Sequence, residues 1–126
     1  MRIAVIGASR DRRKFGNKAV RAFRNQGHEV IPINPECAGT GKSIEGLTAY
    51  ASVRDAPGRV DVATLYVWPE IGERVVDDVA AKEIPELWVN PGAESDGLLA
   101  RARALGIATR LQCSILAIGE SPAEYH

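Results

Sequence analysis

Positive charge gathers at one place in this sequence. Arg10, Arg12, Arg13 and Lys14 stand inside a stretch that also carries Gly7, Ala8, Ser9, Gly16 and Asn17. The stretch follows a short β-branched run, Arg2 to Ile6, which reads as a buried strand meeting a loop. Small residues at positions 7 to 9 let backbone N–H groups approach an anion without obstruction. Gly16 and Asn17 open a helix, where unpaired N–H groups and the helix dipole favour phosphate. Sixteen basic and sixteen acidic side chains cancel over the chain, so this cluster is a local device and not part of a global basic field. That balance gives no reason to expect nucleic acid or a membrane surface as partner.

The pattern of glycines narrows the anion. The dinucleotide fingerprint G-x-G-x-x-G is absent, because Ala8 and Ser9 follow Gly7 and Gly16 comes too late. The second strand ends in Ile33-Asn34-Pro35, with Glu36 only past the break, instead of an acidic residue placed to grip a ribose hydroxyl. A longer basic loop suits a ligand with more phosphate charge than NAD carries. Coenzyme A, with a pyrophosphate and a 3′-phosphate, is such a ligand.

Other chemistry finds little support. His28 sits between Gly27 and the second strand, at the sheet edge opposite the expected crevice, and His126 is the last residue. Neither is placed for a Ser-His-Asp triad or for a phosphohistidine. Gly41-Lys42-Ser43 lacks the earlier glycine of a P-loop, and no zinc pair or nucleophile elbow is present. Cys37 and Cys113 have no metal-ligand spacing. Cys37, in an irregular segment, reads as the more exposed thiol, and Cys113 reads as a small side chain packing the end of the last strand. Asp77 and Asp78 are adjacent in a helix and read as a solvated face. Trp88 is assigned to the core, whereas Trp68 either stacks on an adenine or fills core.

These residues need a scaffold, and the chain supplies alternating strands and helices. Strands are expected at 2–6, 29–33, 60–67, 86–89 and 107–110. Helices are expected from Asn17 as cap to about Gln26, with Phe15, Ala19, Val20 and Phe23 on one side, from Glu70 to Lys82, and from a Ser95 or Asp96 cap to Leu105. Segment 36–59 is irregular, with a short strand or helical turn near 47–53. The alternation predicts a single domain over 1–126. Its class is α/β, a three-layer doubly wound Rossmann-like domain with a mainly parallel sheet of about five strands. No apolar run approaches a membrane span and the start MRIAVIGAS lacks a cleavage pattern, so a cytoplasmic, thiol-reducing setting is expected.

Several stretches together are similar to a known family. VIGAS with the downstream Lys14-x-Gly16, VIPINP at 30–35, YASV at 50–53, VDVATLYV at 60–67, WVNPGAES at 88–95 and the late Cys113 resemble the small stand-alone CoA-binding proteins. They also resemble the CoA-binding domain of succinyl-CoA synthetase α subunits. The resemblance spans nearly the whole chain and implies a Rossmann-like fold that binds CoA or an acyl-CoA, without an established catalytic role. By position, it implies that Gly7, Ala8, Ser9, Lys14, Gly16 and Asn17 hold the phosphates. Asn34 and Pro35 would line the end of the second strand, and Val67, Trp68 and Pro69 would face the ligand from the third. GTGKSIEG departs from the shorter connection such proteins suggest, so Lys42 stands either as a 3′-phosphate ligand or as a surface lysine. The expected function is a non-catalytic CoA carrier, sensor or regulatory module, on its own, as a homo-oligomer or with a protein partner. The alternatives are an NAD(P)-linked enzyme or one subunit of a split acyl-CoA synthetase.

Overall fold

The computed structural model describes residues 1–126. Five strands make the main sheet: β1 (Arg2–Ile6), β2 (Glu29–Ile33), β5 (Val62–Leu65), β6 (Glu86–Val89) and β7 (Ala108–Leu111). A separate two-stranded hairpin is formed by β3 (Ser43–Ile44) and β4 (Leu47–Thr48). The helices are α1 (Phe15–Asn25), α2 (Pro69–Ala81), α3 (Asp96–Ala104) and the short α4 (Ser114–Ala117). In the main sheet the order is β2-β1-β5-β6-β7, and every pairing is parallel. The expected doubly wound α/β class is therefore the observed one.

Both faces of the sheet are covered, which is why β1 and β5 read as unbroken apolar runs. Ile3 and Val5 face α1 together with Phe23, Val20 and Trp88, while Ala4 and Ile6 face the other layer with Val76, Val79 and Leu98. Trp88 is thus core, as expected. Edge strand β7 is exposed throughout. The third strand of the main sheet is shorter than its sequence suggested, because Tyr66 and Val67 leave the ladder to begin the loop before α2. The last strand starts one residue later than expected, since Ile107 turns into the core.

Three expectations are corrected on burial. Phe15 does not share the inner side of α1; as the first residue of the helix it overhangs the sheet and is 57% exposed. Cys37 is buried, because the turn after Asn34 folds back onto the α1 layer, whereas Cys113 is the partly exposed thiol. Asp77 and Asp78 are not a bare solvated pair. Asp77 accepts from Arg101 of α3 at 2.8 Å, and Asp78 accepts from Arg54 at 2.7 Å. Adjacent on one helix, they reach opposite neighbours and tie α2 to both.

Candidate functional site

Strand order reverses at β1. The chain leaves β1 for β2 on one side, then returns through a long connection to place β5 on the other. Helix α1 packs on one face of the sheet and α2 on the other, and sheets of this kind bind ligands in a crevice at the carboxyl ends of the strands flanking the reversal, here β1 and β5. Gly7 and the loop to Gly16 border this place from β1, and Val67, Trp68 and Pro69 border it from β5.

Two glycines set the closeness of the walls. At Gly7, φ is +92°, and a Cβ there would press into the Tyr66 carbonyl, 2.8 Å from its carbon and 3.0 Å from the Val67 side chain. At Gly16, a Cβ would collide with the Gly7 carbonyl oxygen and stand 3.0 Å from its carbon. The start of α1 therefore lies directly against the end of β1. The end of β1 is fixed on both flanks: Gly7 N–H donates to Ile33 O at 3.1 Å, and Tyr66 N–H donates to Ile6 O at 2.8 Å.

Between these walls, backbone donors are left over. The N–H groups of Ala8, Ser9 and Arg10 after β1, and of Phe15 and Gly16 at the start of α1, have no acceptor within the chain. Unpaired donors at a helix start are suited to serve as a cradle for an anion. Lys14 occupies the N-cap position of α1 and makes no side-chain cap bond, leaving its charged arm exposed.

The four basic residues of the loop are not equivalent. Arg13 is spent on Asp11, donating to both carboxylate oxygens at 3.1 Å, and this bonding holds the Asp11 carboxyl down to about 2. Arg12 lies 3.6 Å from the Glu45 carboxylate. Arg10 and Lys14 form no ion pair, so they carry the free charge of the loop.

Asn17 is not the helix cap. It stands in the first turn, fully buried, with every polar atom engaged. Its Nδ2 donates to Ser9 O at 2.9 Å and to Glu45 Oε2 at 3.1 Å, and its Oδ1 accepts from Arg21 Nε at 2.8 Å. Asn17 thus holds the back of the loop, and turns the Ser9 carbonyl away from the crevice. Asn34 does similar work from β2, donating to Ala8 O at 2.9 Å while its Oδ1 accepts from Glu36 N–H at 2.8 Å. Pro35 follows in the same turn. Trp68 caps α2 without a side-chain bond and is 73% exposed, which rules out the core-filling role, and Pro69 opens the helix. Lys42 is exposed in the turn before β3 and makes no ion pair. Glu45 and Arg21 were missed from sequence, because nothing local to either residue points at the loop they support.

A second polar cluster lies under the carboxyl ends of β5 and β6. Asn90 Nδ2 donates to Thr64 Oγ1 and to Leu65 O, both at 2.7 Å, and its Oδ1 accepts from Ser114 N–H and Oγ at 2.8 Å. Beside it, burial pushes the Tyr66 phenol well above its ordinary range, and its hydroxyl finds no partner. His28 lies just ahead of β2, at the other end of the sheet, with Nδ1 3.1 Å from the N-terminal amine.

An all-parallel, doubly wound sheet in the order β2-β1-β5-β6-β7 defines a Rossmann-like α/β domain. More specifically, the chain belongs to the CoA-binding domain family, whose model matches residues 1–119. It is 39% identical over 66 residues to the acetate–CoA ligase (ADP-forming) II subunit alpha of Pyrococcus furiosus, covering 52% of this chain and 14% of that one. Similarity to the acetate–CoA ligase (ADP-forming) I of Archaeoglobus fulgidus is 32% over 82 residues, 65% of this chain and 11% of that one. The chain therefore matches only a small part of these ligases. Among solved structures, a conserved hypothetical protein from Pyrococcus furiosus superposes with a TM-score of 0.84 at 33% identity, over 92% of this chain and 97% of that one. The dinucleotide-forming acetyl-coenzyme A synthetase 1 of Ca. Korarchaeum cryptofilum superposes at 0.73 with 32% identity, over 86% of this chain and 25% of that one. No helix is long and apolar enough to cross a membrane.

Proposed function

We propose that this chain binds coenzyme A through its phosphates, at the loop between β1 and α1, and acts as a non-catalytic module that holds the ligand. The observation that carries this reading is the set of unsatisfied N–H groups of Ala8, Ser9, Arg10, Phe15 and Gly16, brought together by the Gly16–Gly7 contact. Backbone donors recognise phosphate oxygens without regard to the rest of the ligand. Lys14 and Arg10 add the charge that a ligand with several phosphates requires. Asn34 keeps the Ala8 carbonyl turned back toward β2, and Asn17 does the same for Ser9, so both amides orient the loop without touching the phosphate. Trp68 offers an exposed aromatic face on the opposite side of the crevice. Bound coenzyme A supplies a thiol that carries acyl groups as thioesters. The side chains assigned here to the ligand and to the support of the loop, Arg10, Lys14, Asn17 and Asn34, are strong bases and amides, suited to charge and hydrogen bonding and not to proton transfer near neutral pH.

Thermal unfolding in the presence of ligand tests the reading. A ligand at a hundredfold excess over its Kd stabilises the folded state by about 2.7 kcal/mol, which raises the melting temperature by several degrees. The expected order is coenzyme A above dephospho-CoA, with little or no shift from NAD or NADP. A response to NAD equal to that of coenzyme A would overturn the assignment and favour an NAD(P)-linked enzyme. A second reading, one subunit of a split acyl-CoA synthetase, is favoured by the likeness to a ligase subunit alpha. It predicts that the chain co-purifies from its native cell with a larger nucleotide-dependent subunit.

A further inference from the structure

The segment GTGKSIEG places a carboxylate behind the loop between β1 and α1. Glu45 and Gly46 form the two-residue turn of the β3–β4 hairpin, with φ of 50° and 78°. Left-handed positions in such turns favour asparagine or glycine, so a glutamate there is held against its local preference. What holds it is tertiary. Its main-chain oxygen accepts from Arg24 Nη1 at 2.7 Å, its Oε2 accepts from Asn17 Nδ2 at 3.1 Å, and the same oxygen pairs with Arg12 Nε at 3.6 Å. Asn17 in turn grips Ser9 O, and Arg21 closes the ring by donating to Asn17 Oδ1 and to Arg12 O, each at 2.8 Å.

We infer that Glu45 is an internal counter-charge of the phosphate loop, which lowers its affinity for anions and sets how much phosphate a ligand must bring to be retained. This rests on the proposed phosphate-binding reading. The carboxylate does two things that pull in opposite directions. As an acceptor, it seats Asn17 and so shapes the loop. As a negative charge, it occupies Arg12 and repels an anion held on the other side of the Ser9 peptide. That repulsion grows with the charge of the ligand, but a ligand with several phosphates also engages more of the unpaired N–H groups and the free charges of Arg10 and Lys14, whereas a single small anion engages few. Glu45 is a positioning residue with a charge penalty attached, and the two roles separate on substitution.

Glu45→Gln keeps the acceptor oxygen for Asn17 and removes the charge. Calorimetric titration of the full chain with coenzyme A is the test, at low salt and at about 1 M salt. Glu45→Gln is expected to bind coenzyme A about two- to fivefold more tightly at low salt, the range for one unit charge within a Debye length of a diphosphate. That gain should disappear at high salt. Glu45→Asp, which keeps the charge, should show no gain. Should Glu45→Gln fold poorly, Glu45→Asn suits the left-handed turn and is compared with Glu45→Asp, which matches it in length; the asparagine variant is expected to bind about two- to fivefold more tightly than the aspartate variant at low salt. A purely structural Glu45 predicts unchanged or weaker binding by the neutral variants, and that result overturns the inference while leaving the coenzyme A reading intact. A gain that persists at high salt also overturns it. A wild-type chain that binds no coenzyme A overturns both.

Discussion

A methyl group at position 16 has nowhere to go. It would collide with the Gly7 carbonyl oxygen and stand 3.0 Å from the carbonyl carbon and 3.3 Å from the Ala8 Cα. All of these are backbone atoms, so no side chain can swing aside. Carbon atoms pack at about 3.5–4.0 Å, and the carbonyl oxygen is closer still, so Gly16→Ala must move the start of α1 away from β1 by roughly one ångström or more. Overpacking of this kind costs about 1–3 kcal/mol, and the better helix propensity of alanine returns up to about 1 kcal/mol. The expected net loss is about 1–2 kcal/mol, a fall in melting temperature of roughly 3–10 °C. Binding should suffer more than stability, because the donors of Phe15 and Gly16 move relative to those of Ala8 to Arg10. A tenfold or greater loss of coenzyme A affinity in the folded protein is expected from losing one charge-assisted bond's worth of geometry, about 1.5–3 kcal/mol. Urea denaturation gives the first quantity and calorimetric titration the second. Gly27→Ala is the control: its φ is +83° but nothing lies within 4 Å of the added carbon, so it costs stability and leaves binding alone. Wild-type affinity in Gly16→Ala would refute the reasoning, since it would mean that the β1–α1 contact does not build the cradle.

Lys14→Ala should weaken coenzyme A binding roughly ten- to a hundredfold, with an unchanged melting temperature in the free protein, because the side chain makes no internal bond. Titration by calorimetry decides it, and unchanged affinity removes Lys14 from the site. Asn90→Leu should cost about 2–4 kcal/mol in urea denaturation, because it takes the interior partner from Ser114 N–H and Leu65 O and leaves Thr64 Oγ1 only its bond to Ser114 Oγ. A near-neutral result would show that the cluster is open to water. Burial, helped by the N-terminal charge, lowers the pKa of His28. The unfolded chain then binds the proton more readily, so stability conferred by neutral His28 is present above its ordinary pKa and is lost as pH falls through the folded value. Melting between pH 7 and pH 5 should therefore decline more in wild type than in His28→Gln.

The strands were legible wherever apolar runs met sharp stops. Arg2–Ile6 ends at a glycine, Glu29–Ile33 ends before Asn34-Pro35 and Glu86–Val89 ends before Asn90-Pro91, and all have the bounds read from sequence. In the irregular segment the short strand or turn expected near 47–53 is β4 at Leu47–Thr48 and a helical turn at Val53–Asp55, while its partner β3 was hidden because two-residue strands carry no periodicity. That unpaired N–H groups follow β1 and open α1 was legible too, since small residues and a helix start advertise themselves locally. The supports of that loop were not. Asn17 looks like a cap by residue type, yet the helix begins two residues earlier and the amide is consumed by Ser9, Glu45 and Arg21. Cys37 looked exposed because the segment around it is irregular, but irregular backbone that folds onto a helix layer is still interior.

The distance along the chain between the cradle and its walls has a consequence for biosynthesis. The loop donors lie between Ala8 and Gly16, but the surface behind Gly7 is Tyr66 and Val67, and the brace on Asn17 is Glu45. Strand β1 also waits for β5 to fill its second edge. During synthesis, the loop between β1 and α1 emerges ahead of these supports and lacks them until β5 has followed. A nascent chain stalled before Val62 would have the whole loop sequence without the walls that shape it. Ligand capture should therefore switch on over a short interval of chain length, after the third strand of the main sheet clears the exit tunnel.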